Sequence, residues 1–142
     1  GLGPEPLGDE FSGEYLWNSA RGRRVAIKQH IMNSKIVAGV GNIYANEALF
    51  RAGIHPKLKA GKIILPRMEK LAHEIRAVLT EAIRQGGTTL RDYRGSDGKP
   101  GYFKQTLLVY ERAGEACKNC ATPLSHIVQG QRSTYYCKHC QR

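Results

Sequence analysis

The sequence has no cysteine before Cys117, and it is short of acids: 12 Asp and Glu stand against 22 Lys and Arg. It has no internal repeat and no apolar run near the roughly 18–20 residues needed to cross a bilayer. Its start, "GLGPEPLGDEF", lacks the basic cluster and apolar stretch of a secretory signal. There is no Ser/His/Asp or Cys/His set, and no carboxylate pair is placed for acid–base work. Neither a lipidation motif nor a basic helix with a free apolar face is present. These absences argue against a membrane span and membrane anchoring and for a location inside the cell, and leave no self-contained catalytic machinery of a common type in view.

What is present is cationic. The 142 residues carry a formal charge of +10, with 41% hydrophobic and 24% charged residues. That suffices for one modest core, with room for a small appendage. So large a charge of one sign repels itself unless a polyanion is the partner. Nucleic acid is the first candidate and an anionic membrane surface the second; charge adopted for solubility alone is the bland alternative.

The four cysteines form two matched pairs, Cys117-x2-Cys120 and Cys137-x2-Cys140, sixteen residues apart. Two disulfides are one reading. The spacing instead fits a tetrahedral four-cysteine zinc site, in which each C-x-x-C knuckle aims two sulfurs at one centre. A reducing compartment keeps such thiols free for metal. His139, between the last two cysteines, is a rival ligand, but the cysteine set is already complete.

Along the chain, residues 1–13 read as a Gly/Pro-rich linker, 14–110 as a helical domain and 111–142 as the finger. Helices are expected over Glu14–Ala20, up to about Val37, and over Ile43–Ala52, with Asn42 as N-cap and Gly53 and Pro56 as stops. The strongest periodicity lies between Pro66 and Gln85. Met68, Leu71, Ala72, Ile75, Val78, Leu79, Ala82 and Ile83 draw one apolar stripe, while Arg67, Lys70, Arg76 and Arg84 form a solvated face. Thr88–Phe103 is a long loop, and "KQTLLVYER" fits strand or helix. Ser125–Gly130 and Arg132–Tyr136 are short strands joined at Gly130-Gln131. The fold class is therefore mainly α, with a small four-cysteine β-hairpin at the C-terminal end. Chelation is expected to melt the finger and spare the helical body.

Three places can carry chemistry. In "VAGVGNIYANE", closely spaced glycines leave amides unshielded just before a helix N-terminus, which suits an anion such as phosphate; ordinary glycine-turn packing is the other reading. Arg132 sits at the tip of the hairpin, where a guanidinium can take a phosphate bidentately or enter a groove, or can simply be an exposed charge. In "GSDGKPGYF", Lys99 can be a nucleophile or phosphate contact and Asp97 a general base, against a plain turn role for both. Tyr135 and Tyr136 are assigned to supporting the strands rather than stacking on bases.

Taken together, "LGPEPL", "AIKQHIMNSKIVAGVGNIYANEALFRAGIHP", "QGGTTLRDYRGSDGKPGYF" and the finger with "GQRSTYYC" resemble the C-terminal half of bacterial formamidopyrimidine-DNA glycosylases, in order and over essentially the whole chain. The resemblance implies a helix-two-turn-helix domain plus zinc finger, with one structural Zn²⁺ on Cys117, Cys120, Cys137 and Cys140. It implies a base-excision enzyme that removes oxidised purines from duplex DNA and then cuts the strand at the abasic site. Gly41, Asn42 and Ile43 would hold a phosphate near the lesion. Lys28, Arg23 and Arg24 would add backbone contacts. Arg132 would grip flanking phosphates and serve as an acid in the second elimination step. Thr89, Ser96, Asp97, Gly98, Lys99, Pro100, Gly101 and Tyr102 would belong to the cover over the extruded base. The family's nucleophile, an N-terminal proline followed by glutamate, has no counterpart here, because Pro4 and Pro6 lie within peptide bonds. The expectation is thus a monomeric fragment from a bacterial cytoplasmic, nucleoid-associated repair enzyme. It would bind DNA with oxidised or abasic sites but depend on an N-terminal catalytic domain for excision. A stand-alone zinc-containing nucleic-acid module, the sister glycosylase for oxidised pyrimidines, and an adaptor that uses the finger for protein contacts are the alternatives.

Overall fold

The computed structural model describes residues 1–86 and 107–142. Four helices and one two-stranded antiparallel hairpin make up its regular structure: α1 Gly13–Ser19, α2 Ile27–Met32, α3 Asn42–Ala52, α4 Leu65–Arg84, β1 Ser125–Gln129 and β2 Arg132–Tyr136, with a 3₁₀ turn at Ala60–Lys62. The chain is mainly helical, with the hairpin at its C-terminal end. Among the described residues, no helix is long and apolar enough to cross a membrane.

Each helix starts and stops for a local reason. Ser12 caps α1, its Oγ accepting the Tyr15 N–H at 3.0 Å. The short helix expected in "NSKIV" up to about Val37 does not form; α2 lies just upstream and ends at Met32. Asn33 leaves the helical region with ψ 114°, and its Oδ1 accepts the Lys35 N–H at 3.0 Å, so an Asx-type turn stands in place of that helix. Gly53 closes α3 in the left-handed conformation, φ 72°, and the Ile54 N–H reaches back to the Leu49 carbonyl, as in a Schellman end. Pro66 sits in the first turn of α4, where its missing N–H costs nothing.

The α4 stripe forms the floor of the main core. Met68, Leu71, Ala72, Ile75 and Val78 are buried against Phe11, Leu16, Ile27, Ile31, Val37, Ala45, Leu49, Ile54 and Ile63, and Ala82 packs in a smaller cluster with Ile43, Leu107 and Tyr110. Each large aliphatic side chain so buried contributes about 1.5–3 kcal/mol. Two expectations fail on this helix. Ile83, assigned to the stripe, is 61% exposed, one turn beyond the half-buried Leu79 at the stripe's fringe. Arg67 and Arg76 are not merely solvated. Arg76 donates to the carbonyls of Pro6, Gly8 and Phe11 and lies over the Phe11 ring, pinning the N-terminal segment to α4. Arg67 ties the Gly53 and Arg142 carbonyls together. Long cationic side chains on a helix flank can satisfy carbonyls of neighbouring segments, which a periodicity reading cannot see. The first residues are docked elsewhere as well: the Gly3 N–H bonds the Ser34 carbonyl, and a side chain at Gly13 would meet the Glu69 Cα at 2.4 Å.

One buried polar group makes the body acid-sensitive. His30 is 2% exposed, and its Nε2 lies 3.0 Å from the Ser19 hydroxyl. Burial, aided by the Arg23 charge, depresses its pKa from 6.5 to about 4. Above pH 6.5 the ring is neutral in both folded and unfolded chains, so it contributes no pH dependence. As pH falls through 6.5 the unfolded ring takes a proton that the folded one refuses, and stability drains away until about pH 4. At about 1.4 kcal/mol per pH unit, the expected loss is roughly 3 kcal/mol. Urea titrations at pH 7 and pH 4.5 should show most of this loss, about 2.4 kcal/mol, in the wild type and a smaller one in His30→Gln. Equal losses would mean that other groups carry the acid sensitivity.

Candidate nucleic-acid interface

Three features make up the site: the turn before α3 and the hairpin tip meet at the N-terminal end of α3, and the cysteine cluster that holds the base of the hairpin packs on Phe50 near the other end of that helix.

The four cysteines come together as expected. Their Sγ atoms all lie within 4.8 Å of one another. Cys117 and Cys140 are 3.9 Å apart, and Cys120 and Cys137 3.5 Å. A tetrahedron with Zn–S bonds near 2.3 Å has edges of about 3.8 Å, so the cluster is already of the right size. The knuckle amides of Asn119 and Cys140 point at the Cys117 and Cys137 sulfurs, both at 3.4 Å, as a thiolate-bearing site requires. Hydrogen bonding from Thr122 holds the Cys120 thiol down to about 6. Binding needs all four as thiolates, so zinc uptake releases protons. His139 is exposed and outside the cluster. The donor set is closed and leaves no position for substrate, so the zinc is structural. Phe50, from α3, packs in the same apolar cluster as Cys117, Cys137, Val109 and Leu124, so the metal site shares its core with the helical body.

The hairpin pairs Gln129 with Arg132 across a two-residue turn. Gly130 and Gln131 both have positive φ, 56° and 66°, the conformation that matches strand twist in a tight hairpin. Arg132 is exposed at the first position of β2. Tyr135 packs between Tyr110 and His126, with ring centroids 5.3 and 4.8 Å away, and Tyr136 lies against His55 at 4.6 Å. Both tyrosines support the strands.

The turn before α3 departs from expectation in one respect. Asn42 is the first helical residue, and Gly41, extended at φ −82° and ψ 178°, occupies the N-cap position with no side-chain cap. The Asn42 amide is used across the interface instead: its Nδ2 donates to the Ser133 carbonyl at 3.0 Å. Gly39 takes φ 81°, a left-handed value that glycine accepts readily. The N–H groups at the start of α3 carry no side-chain cap, at the positive end of the helix dipole.

Turn and tip face one another. A cleft of about 560 Å³ is lined by Met32, Ser34, Gly39–Ile43 and Arg132. A second, of about 240 Å³, is lined by Lys28, Gln29, Asn33, Gln129 and Arg132. Arg132 thus divides two adjacent hollows, one rich in backbone amides and one beside a lysine. Lys28 itself is 1% exposed. Its Nζ donates to Thr134 Oγ1 at 2.7 Å and to the Ser133 carbonyl at 3.3 Å. Burial, then the Arg132 charge, pulls its pKa down to about 8. Arg23 caps α1 by donating to the Ser19 carbonyl; neither it nor Arg24 lines either cleft. Thr89, Ser96, Asp97, Gly98, Lys99, Pro100, Gly101 and Tyr102 lie outside the described residues.

Two site residues were missed by sequence reasoning, both on α3. Asn46 is 1% exposed; it accepts the Tyr135 N–H at 2.7 Å and donates to the Asn42 carbonyl at 2.9 Å. Glu47, also 1% exposed, accepts the N–H groups of Leu108, Val109 and Tyr110 at 2.7–2.9 Å, fixing residues 108–110, in the described part of a segment expected to be strand or helix, as an irregular turn. Burial pushes its carboxyl up, opposed by those three amides and Arg51. Two adjacent polar residues inside a helix flanked by Ile43, Ala48, Leu49 and Phe50 were the available signal.

Comparison with known proteins matches this geometry to one group. Residues 2–94 match the formamidopyrimidine-DNA glycosylase H2TH domain, and residues 114–142 the zinc finger found in FPG and IleRS. The chain is 62% identical over 141 residues to a formamidopyrimidine-DNA glycosylase of Thioalkalivibrio sulfidiphilus, and 58% to that of Marinobacter nauticus; each alignment covers 99% of this chain and 52% of the relative. Among solved structures, the Thermus thermophilus MutM (Fpg) protein superposes with TM-score 0.87 at 39% identity, covering 99% of this chain and 53% of that one. A Lactococcus lactis formamidopyrimidine-DNA glycosylase bound non-covalently to DNA containing an abasic site gives TM-score 0.87 at 30% identity, covering 99% and 50%. The chain spans about half the length of the curated relatives it matches, corresponds to their C-terminal part, and belongs to the formamidopyrimidine-DNA glycosylase family.

Proposed function

We propose that this chain is the DNA-gripping part of a base-excision-repair glycosylase and AP lyase that removes oxidised purines, 8-oxoguanine and formamidopyrimidines, from duplex DNA. The chain itself binds duplex as a monomer and does not excise. The observation that carries this reading is the seam between turn and tip: the 3.0 Å bond from Asn42 to the Ser133 carbonyl sets the amides of Gly41–Ile43 and the Arg132 guanidinium around one cleft. A sugar–phosphate strand in that cleft meets amide donors at a positive helix end and a fork-shaped cation beside them. The net charge of +10 supplies the long-range attraction. That a relative of like fold binds DNA containing an abasic site supports the same partner.

The division of labour follows from what side chains here can do. Arg132 and the α3 amides bind and orient phosphate; Arg132 also donates a proton in the second elimination step. Zinc stiffens the hairpin that carries Arg132 and takes no part in bond-breaking. The amine nucleophile and its carboxylate partner belong to the half of the relatives that this chain does not match. Lys28 serves by holding the hairpin, because its ammonium is spent on Ser133 and Thr134.

Binding to a 20-base-pair duplex should fall with salt. If about five phosphates are neutralised, the slope of log K against log salt is near −4.5, and a slope near zero would remove the polyanion from the account. Arg132→Ala should weaken binding by about 10- to 100-fold, the scale of a charge-assisted contact, and flatten the slope by about 1 while zinc content stays the same. Borohydride trapping on an abasic duplex should yield no covalent adduct with this chain; an adduct would show a nucleophile that the proposal does not contain. Chelation should abolish binding and also lower the melting temperature of the helical body, because Phe50 sits in the cysteine cluster. A body that melts unchanged after zinc removal would show that the two parts are energetically separate.

A further inference from the structure

Asn46 stands one helical turn below Asn42, and its side-chain amide bonds both to α3 itself and to the hairpin. Its Oδ1 accepts the Tyr135 N–H at 2.7 Å. Its Nδ2 donates to the Asn42 carbonyl at 2.9 Å and lies 3.4 Å from both Asn42 Oδ1 and the Ser133 carbonyl. That arrangement fixes which way the Asn42 side chain faces. With its oxygen turned toward Asn46, its nitrogen is delivered to Ser133 at 3.0 Å. An amide nitrogen carries two hydrogens, and Ser133 takes one. Asn42 also lines the cleft that Arg132 borders, and Ser133 is the residue next to Arg132.

We infer that Asn46 is a positioning residue for the phosphate-gripping pair, aligning the Asn42 amide from below and the Arg132 strand from the side. The inference rests on the reading of the cleft given under Proposed function. A side chain that merely filled a polar gap would need partners, but not these partners. Asn46 instead bridges the first residue of the anion-facing helix end and the strand that begins with the fork-shaped cation. It touches no ligand itself. It acts by removing the rotational freedom that Asn42 would otherwise lose at the moment of binding.

The test is a double-mutant cycle on the zinc-loaded chain, with a short duplex containing one abasic site as the probe and fluorescence anisotropy at fixed salt as the readout. Asn46→Ala should weaken binding by about five- to tenfold in the wild-type background and by less than about twofold in Asn42→Ala, since coupled residues lose their effect together. Asn46→Ser should fall between, because a helical serine can donate to the carbonyl four residues back. Zinc content and melting temperature are measured on every variant. Should Asn46→Ala fail to fold or to hold zinc, Asn46→Ser decides by the same cycle. Unchanged affinity, or the same fold-loss in both Asn42 backgrounds, overturns the inference and leaves Asn46 a structural filler. A wild-type chain that does not bind the duplex at low salt overturns the proposed function itself, and this inference with it.

Discussion

The arrangement depends on one polar seam. The hairpin is held to the helices through the Ser133 carbonyl, which receives Lys28, Asn42 and, more distantly, Asn46. Around it, Tyr135 N–H bonds Asn46, Thr134 bonds Lys28, and Gln129 reaches the Pro56 carbonyl at 3.0 Å. A purely apolar interface of this area would tolerate rotation and sliding. Directional bonds to a strand's own carbonyls and amides do not, because each has one good geometry and a buried group left unpaired costs about 1–3 kcal/mol. The register of the hairpin on α3, and with it the position of Arg132, is set by this pattern of donors.

A seam of this kind needs a stiff partner. Five-residue strands joined by a two-residue turn are marginal alone in water. The cysteine cluster closes their base, and Phe50, Val109 and Leu124 pack against it. Metal binding in such small units carries about 10–16 kcal/mol of apparent free energy in finger peptides, more than a hairpin can assemble from its own contacts. Glu47 complements it from α3, anchoring three successive amides of residues 108–110 just before the first knuckle. The helical body and the metal site are therefore joined through α3 from two sides, by a carboxylate and by an aromatic ring.

The sequence made the modular signals legible. Spacing revealed the metal ligands, a period of 3.6 revealed α4, and alternation with Gly130-Gln131 revealed the hairpin. Each of these is local: a spacing or periodicity within one segment. What stayed hidden is long-range and polar. Arg76 reads as solvated because its partners are carbonyls some seventy residues upstream, at Pro6 and Gly8. Asn42 reads as an N-cap because its residue type and position fit one; only the folded hairpin offers the Ser133 carbonyl that claims its amide. The family resemblance gives Lys28 a DNA-backbone contact, yet its side chain is buried against the hairpin, on Ser133 and Thr134. Asn46 and Glu47 carry the information in plain view, as adjacent polar residues between the apolar residues Ile43, Ala45, Ala48, Leu49 and Phe50, but nothing in the sequence says which backbone groups they serve.

The burial of Lys28 next to Arg132 also has an electrostatic meaning. Two cations share the hairpin tip, and Lys28 donates to a hydroxyl and a carbonyl rather than to a carboxylate. The like charge contributes to lowering the Lys28 pKa toward 8, so the folded chain carries a repulsion at this end. An uncharged seam would avoid that cost, and a carboxylate would cancel it. Cancellation would also blunt the site, since an internal anion competes for the guanidinium with any external one. Under the proposed function, the arriving phosphate is the missing counter-charge. The repulsion stored in the free chain is then relieved on binding, and relief of that kind favours the complex without adding a direct contact.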